Sequence, residues 1–144
     1  MAGPPTIQSE MTPFPYVIDV DASLAEARRM MGEYGVRHLP VKDGDKLVGL
    51  LTDRDLKLVL GPNLDVPNHE GGPRVRSACL FDIYTVEMGT PLRVVAEEMA
   101  ERHIGSALVT KDGRLAGIFT ATDACRCLAE VLSVIEPPSG DEAA

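Results

Sequence analysis

No stretch of the 144-residue chain comes near the roughly 20 consecutive apolar residues that a membrane span needs. The opening Met1-Ala-Gly-Pro-Pro-Thr has neither a cationic n-region nor an apolar h-region, so the expected location is the cytoplasm, with no membrane partner. Basic runs are missing too: 14 Lys and Arg stand against 22 Asp and Glu, a formal net charge of −8. Such a field repels phosphate backbones and excludes a wide nucleic-acid footprint, while one small anion in a local basic pocket stays possible. The three cysteines, Cys79, Cys125 and Cys127, form no C-x-x-C pair, which fits reduced packing thiols rather than a disulfide framework. Cys125 and Cys127 fall two apart on an expected helix, where their side chains diverge. His38, His69 and His103 lie far apart, so no metal site is expected, and neither a P-loop nor a nucleophile-base pair argues for an enzyme.

What the chain does have is a repeat. At a single offset of 68 residues, 16–55 aligns without a gap on 84–123. Identities fall at Tyr16/Tyr84, Leu24/Leu92, Met31/Met99, Glu33/Glu101, Val41/Val109, Leu47/Leu115, Gly49/Gly117, Thr52/Thr120 and Asp55/Asp123.

Each copy reads as β-α-β-β-α. An extended piece (16–20; 84–88) precedes an amphipathic helix with apolar residues at Leu24, Ala27, Met31 and at Leu92, Val95, Met99. Ser23 with Glu26 forms a capping box, and Thr90-Pro91 offers an N-cap followed by proline at the first helical position. A hairpin follows, turning at Asp43-Gly44 or Asp112-Gly113; the second pair sits one place later than the offset requires, so the turns need not share a type. The closing helix starts near Thr52 or Thr120; Gly61-Pro62 stops the first, while the second runs to Ile135. Met30, Met31, Met88 and Met99 read as pliable core. The expected organisation is a flexible tail over 1–10, repeats over 11–60 and 76–135, a linker over 61–75, and a flexible tail over 136–144.

The most informative repeated string is Gly49-Leu-Leu-Thr52-Asp-Arg-Asp55 with its copy Gly117-Ile-Phe-Thr120-Ala-Thr-Asp123. Thr-x-x-Asp at a strand-to-helix junction is a capping-box variant, and glycine within a strand can mark a bulge. The same geometry also suits a nucleotide: a helix start attracts phosphate, an ionised Asp accepts from both ribose hydroxyls, and glycine lets a ligand approach the strand closely. Both readings stand at this point.

The string Gly35-Val-Arg-His-Leu-Pro-Val41 followed by Leu47-Val-Gly-Leu-Leu-Thr-Asp-Arg-Asp-Leu56 resembles the first half of a CBS (cystathionine-β-synthase) domain pair, and Ile104-Gly-Ser-Ala-Leu-Val109 with 115–123 resembles the second. The resemblance covers roughly residues 11–132. It implies an α/β (α+β) fold of tandem β-α-β-β-α repeats, a Bateman module, that binds AMP, ADP, ATP or S-adenosylmethionine between the repeats as a regulatory ligand, with no required cofactor. By the same resemblance Asp55 and Asp123 hold ribose. Thr52, Arg54, Thr120, Arg37, His38 and Ser106 lie by the phosphates, and the first strand and hairpin of the partner repeat enclose the adenine, through Tyr16, Ile18, Pro40, Tyr84, Val86 and Ala107. Core packing is the competing role for the apolar members of this set. Two features depart from the family pattern. Gly105, Ser106 and Thr122 replace Arg37, His38 and Arg54, which makes the Thr52/Asp55 site the basic one, and the opening Met11-Thr12-Pro13 corresponds to Cys79-Leu80-Phe81.

These features lead to a non-enzymatic sensor expected to form a symmetric homodimer through its helices and to deliver its output to a regulated protein in trans. The alternative is a structural or interaction module of the same fold that binds no ligand and acts by dimerising with a partner protein.

Overall fold

The computed structural model describes residues 3–61 and 72–136. Most of the expected linker and all but the first residue of the expected C-terminal tail lie outside the described residues. In chain order the elements are α1 (Ile7–Glu10), β1 (Thr12–Pro13), β2 (Ile18–Asp19), α2 (Leu24–Tyr34), β3 (His38–Asp43), β4 (Lys46–Thr52), α3 (Asp53–Leu60), a 3-10 turn (Val75–Ser77), β5 (Thr85–Glu87), α4 (Leu92–Arg102), β6 (Ser106–Lys111), β7 (Arg114–Thr120) and α5 (Ala121–Ile135). They divide into two compact units, one of residues 14–84 and one that joins the residues up to 13 to those from 85 onward.

In the unit of residues 14–84 a three-stranded sheet runs β2-β3-β4, parallel then antiparallel. Ser23 caps α2 by accepting from the Glu26 N–H at 3.1 Å, one half of the expected capping box, while the Glu26 carboxylate turns to Arg29 instead of back to the Ser23 N–H, and Gly35 ends the helix at φ 65°, a left-handed conformation suited to glycine. Leu24, Ala27 and Met31 face inward against Val20, Leu39, Val41 and Leu51. Burying each large apolar side chain contributes about 1.5–3 kcal/mol. Arg29 joins Glu26 and Glu33 along the outer face of α2, and its hydrogen bond holds the Glu26 carboxyl below the usual carboxylate range. Val75, placed in the expected linker, is fully buried, with its N–H on the Ala22 carbonyl at 2.9 Å.

The other unit repeats the plan in a four-stranded sheet, β1-β7-β6-β5. Its core includes Val95, Leu108, Val109, Phe119 and Ile7. Within the span expected as a flexible N-terminal tail, Ile7 is fully buried, and its N–H meets the Thr90 carbonyl at 2.8 Å. An isolated apolar residue among Pro, Thr and Gln carries no periodicity that would have revealed this. The start of α4 also differs. Pro91, not Thr90, is the N-cap, with no side-chain cap, and the helix begins one residue later.

Both hairpins carry an irregularity at the same repeat position, between Val41 and Lys42 and between Val109 and Thr110. Their turns do differ. Asp112 and Gly113 both have positive φ, 52° and 79°, as a type I′ turn requires, whereas in the first hairpin only Gly44 does, at 62°.

The short segments that lead into each repeat are exchanged. Thr12 and Pro13 lie antiparallel to Ile118 and Gly117, in the second copy. Leu80, the counterpart of Thr12, exchanges two backbone hydrogen bonds of 2.9 Å with Leu50, the counterpart of Ile118. The strand glycines serve this exchange. A Cβ on Gly49 would stand 2.6 Å from the Leu80 carbonyl oxygen, and one on Gly117 would stand 2.9 Å from the Thr12 carbonyl oxygen and collide with Met11 Sδ. The close approach that the sequence suggested for a ligand is therefore made by the chain itself.

Candidate functional site

Each unit carries its own Thr-x-x-Asp junction, and in both the capping chemistry is complete. The Thr52 N–H and hydroxyl both donate to Asp55 Oδ2 at 2.9 Å, and the Asp55 N–H donates back to Thr52 Oγ1 at 3.2 Å. Thr120 and Asp123 repeat this, with the N–H and hydroxyl donating to Asp123 Oδ2 at 2.9 and 3.2 Å and the return bond at 3.4 Å. The first helical N–H is also used in each copy, Asp53 on the Arg37 carbonyl at 3.0 Å and Ala121 on the Gly105 carbonyl at 2.9 Å. Thr52 and Thr120 are thus held by their caps before any phosphate arrives.

The second carboxylate oxygen separates the copies. Asp123 Oδ1 accepts from Arg126 Nη1 at 3.0 Å and from the Thr12 hydroxyl at 3.5 Å, and Asp123 is only 5% exposed. Asp55 is half-buried, and among the described residues no donor reaches its Oδ1. Two exposed arginines lie near Asp55 along the chain path, Arg54 directly before it in α3 and Arg37, whose carbonyl accepts from the Asp53 N–H, and neither side chain makes a hydrogen bond or ion pair among the described residues. His38 is half-buried and lies opposite Thr52 across the β3–β4 pair. The corresponding place in the other unit holds Ser106, half-buried opposite Thr120, with Thr122 exposed.

The residues expected around the adenine are distributed unevenly. Ile18 belongs to the apolar cluster of its own unit, and Pro40 and Ala107 are buried. Val86 and Tyr84 are half-buried. Tyr16 is exposed, and its ring stacks on Tyr34, a residue that the sequence reading did not single out. An aromatic at the last position of a helix carries no motif; only the fold, which brings that end beside the start of β2, reveals it.

Of the methionines read as core, Met31 and Met99 are buried, while Met30 and Met88 are half-buried. The cysteines pack less uniformly than expected. Cys79 is buried and Cys125 exposed, while the half-buried Cys127 donates to Glu10 Oε2 at 3.5 Å. Burial, reinforced by Glu10, pushes the Cys127 thiol up to about 11. Among the described residues no group of His, Cys, Asp or Glu is placed to hold a metal ion, and no helix is long and apolar enough to cross a membrane.

The family pattern of the CBS domain matches the chain twice, over residues 7–61 and 75–130. A CBS domain-containing protein of Dictyostelium discoideum is 30% identical over 132 residues, spanning 86% of this chain and 91% of that one. The inosine-5′-monophosphate dehydrogenase of Staphylococcus haemolyticus is 29% identical over 115 residues, but the match takes in only 21% of the dehydrogenase. Among solved structures, CBSX2 in complex with AMP superposes with a TM-score of 0.76 at 25% identity, over 90% of this chain and 99% of that one. A CBS domain pair in complex with 5′-methylthioadenosine and S-adenosyl-L-methionine gives a TM-score of 0.77 at 22% identity, over 90% and 99% of the chains. With one domain matched to each half of its repeat, the chain belongs to the CBS domain family, as a CBS domain pair.

Proposed function

We propose that this CBS pair is a non-enzymatic regulatory module that binds an adenosine-containing ligand, with the site at Asp55 as the principal one. The observation that carries this reading is the difference between the two carboxylates: Asp55 keeps an oxygen that no described residue uses, with Arg37 and Arg54, whose side chains are unpaired among the described residues, near it along the chain path, whereas both oxygens of Asp123 are engaged. A ribose needs an acceptor for its hydroxyls, and phosphates need cations; the Asp55 site offers both. That CBSX2 holds AMP, and another CBS pair holds two adenosine compounds, supports this ligand class. Arg37 and Arg54 favour the more highly phosphorylated members, with affinity that falls as salt is added. At Asp123 a ribose must first displace Arg126 and Thr12, so that site takes less phosphorylated ligands or stays empty.

The signal passes to a separate protein through a homodimer. The basis for the dimer is the exposed apolar face of α5, with Leu128, Val131, Leu132 and Ile135. The module reading without ligand has its own support in the two completed capping boxes, which explain Thr52 and Asp55 without a nucleotide.

Thermal melting with AMP, ADP, ATP, NAD and S-adenosylmethionine separates the two. Saturation at about 100 times Kd adds roughly 2.7 kcal/mol to native stability. A melting temperature unmoved by every compound would leave the ligand-free interaction module as the function, and steady turnover of ATP would overturn the non-enzymatic reading.

A further inference from the structure

The N-terminal segment that leads into the first repeat is fastened to α5 by side chains as well as to β7 by its backbone. The Thr12 hydroxyl donates to Asp123 Oδ1 at 3.5 Å, and Cys127 Sγ donates to Glu10 Oε2, also at 3.5 Å. The two contacts share one geometry. Asp123 and Cys127 stand one turn apart on a single face of α5, about 6 Å along its axis. Glu10 and Thr12 lie either side of Met11, whose backbone is extended, which makes a step of roughly 6–7 Å. With steps that match, the leader runs antiparallel to α5 and engages it twice.

The first repeat has none of the groups involved. At the 68-residue offset Glu10, Thr12, Arg126 and Cys127 correspond to Ala78, Leu80, Leu58 and Val59, which carry no polar side-chain atom. The fastening is therefore peculiar to the second carboxylate, and Asp123 is buried while Thr12 above it is exposed. It is also weak. A hydroxyl donor prefers about 2.7–2.8 Å, so the Thr12 bond is long. The leader then leaves through Phe14 at φ 49°, a left-handed conformation that an aromatic residue seldom adopts and that persists only while its neighbours are fixed.

We propose that residues 10–13 form an autoinhibitory latch on the Asp123 carboxylate. A ribose takes Oδ1 only as Thr12 gives it up, so occupancy of that site and closure of the leader on α5 exclude each other. This rests on the reading that Asp123 can hold a ribose. By linkage, any change that opens the leader tightens the ligand, and the ligand opens the leader by the same factor. The second site thus reports its ligand as movement of the N-terminal segment, while the first, which has no latch, does not.

The test uses the full chain carrying Asp55→Asn, so that the Asp123 site alone is read, with adenosine as the probe. Thr12→Val keeps the shape and removes the hydroxyl; Glu10→Ala installs the first repeat's residue. Each should tighten adenosine about threefold or more by calorimetry, while Thr12→Ser, which keeps the hydroxyl, should not. Because both act on one latch, the double variant should gain less than the two single effects combined. With the latch intact, adenosine should speed iodoacetamide labelling of Cys127, read by peptide mass analysis, and 2′,3′-dideoxyadenosine, which lacks the ribose hydroxyls, should not. Adenosine affinity unmoved by Thr12→Val and Glu10→Ala, or Cys127 labelling that adenosine does not speed, would overturn the latch and leave the Asp123 site standing. No adenosine binding by any of these chains would overturn both, whereas nucleotide binding by the Asp123→Asn chain would still support a sensor at Asp55.

Discussion

The Arg126 guanidinium donates to Asp123 Oδ1 at 3.0 Å, and the equivalent place in the first copy is Leu58, which is 74% exposed and has nothing to donate. Together with Thr12, whose counterpart Leu80 has no hydroxyl, this substitution closes one carboxylate and leaves the other with spare capacity. The repeat supplies two similar frames; the chemistry available in them is unequal.

Asp55→Asn tests the open carboxylate. Asp55 is the third helical residue of the capping box, a place where an amide side chain also accepts from the N-cap N–H, so Asn keeps that bond and apo stability should fall by less than about 1 kcal/mol. It loses the charge that best holds two ribose hydroxyls, and calorimetry should show at least a tenfold weaker nucleotide, about 1.4 kcal/mol. Equal destabilisation with and without nucleotide would assign Asp55 to the cap alone.

Arg126→Ala should do the reverse at the second copy. The Arg126 side chain is 63% exposed, so its pair with Asp123 adds little to stability, and chemical denaturation should barely change. Freed of that donor, Asp123 Oδ1 keeps only the 3.5 Å contact with the Thr12 hydroxyl, and nucleotide calorimetry should show a second binding event or a second Kd several-fold tighter. An unaltered isotherm would mean that Arg126 does not compete for the site.

Gly49→Ala and Gly117→Ala probe the exchanged leaders. The new methyl at Gly49 meets a carbonyl that is itself fixed by the Leu50–Leu80 pair, so it cannot yield without breaking those hydrogen bonds. A loss of about 1–3 kcal/mol is expected at either position, read from the urea midpoint. Stability equal to that of the unsubstituted chain would show that the leaders shift freely.

Cys127 gives a pH-dependent readout. Its thiol rises from an ordinary value of 9.0 to about 11 in the fold, so the folded chain holds the proton between those values while the unfolded chain has released it. The resulting contribution to stability is complete below about pH 9 and is lost as pH climbs through 11. At pH 8 iodoacetamide should modify the exposed Cys125 well before Cys127, by peptide mass analysis. Matched rates at the two thiols would contradict the burial and the Glu10 contact.

Local chemistry explains what was legible beforehand. Ser23 with Glu26 and Thr52 with Asp55 act within a single turn, so their spacing alone discloses the caps, and the 68-residue offset discloses the doubled plan. Pairing partners are a different matter. Nothing in Met11-Thr12-Pro13 states that it will lie along Ile118 and Gly117 rather than along its own copy, and its counterpart Cys79-Leu80-Phe81 departs from the family pattern. Gly49 and Gly117 held the clue, since a glycine inside a strand signals a close neighbour without saying which. The same limit hid the Thr12 hydroxyl from Asp123 and Tyr34 from Tyr16, because each contact depends on distant segments being folded first.

The exchange of leaders makes a solitary repeat an unfinished object. Residues 14–84 carry both Leu50 and Leu80 and so can close on themselves as an unbroken stretch, whereas the other unit must recruit Ile7 and Thr12 from the far end of the chain. A polypeptide of one repeat with its own leader, such as residues 11–60, would bear a Gly49 strand awaiting a leader and a leader awaiting a strand. Only a second such polypeptide, donating in return, could complete it. The covalent doubling turns what would be a concentration-dependent encounter into an event within one molecule, and the boundaries between the units fall at residues 13–14 and 84–85.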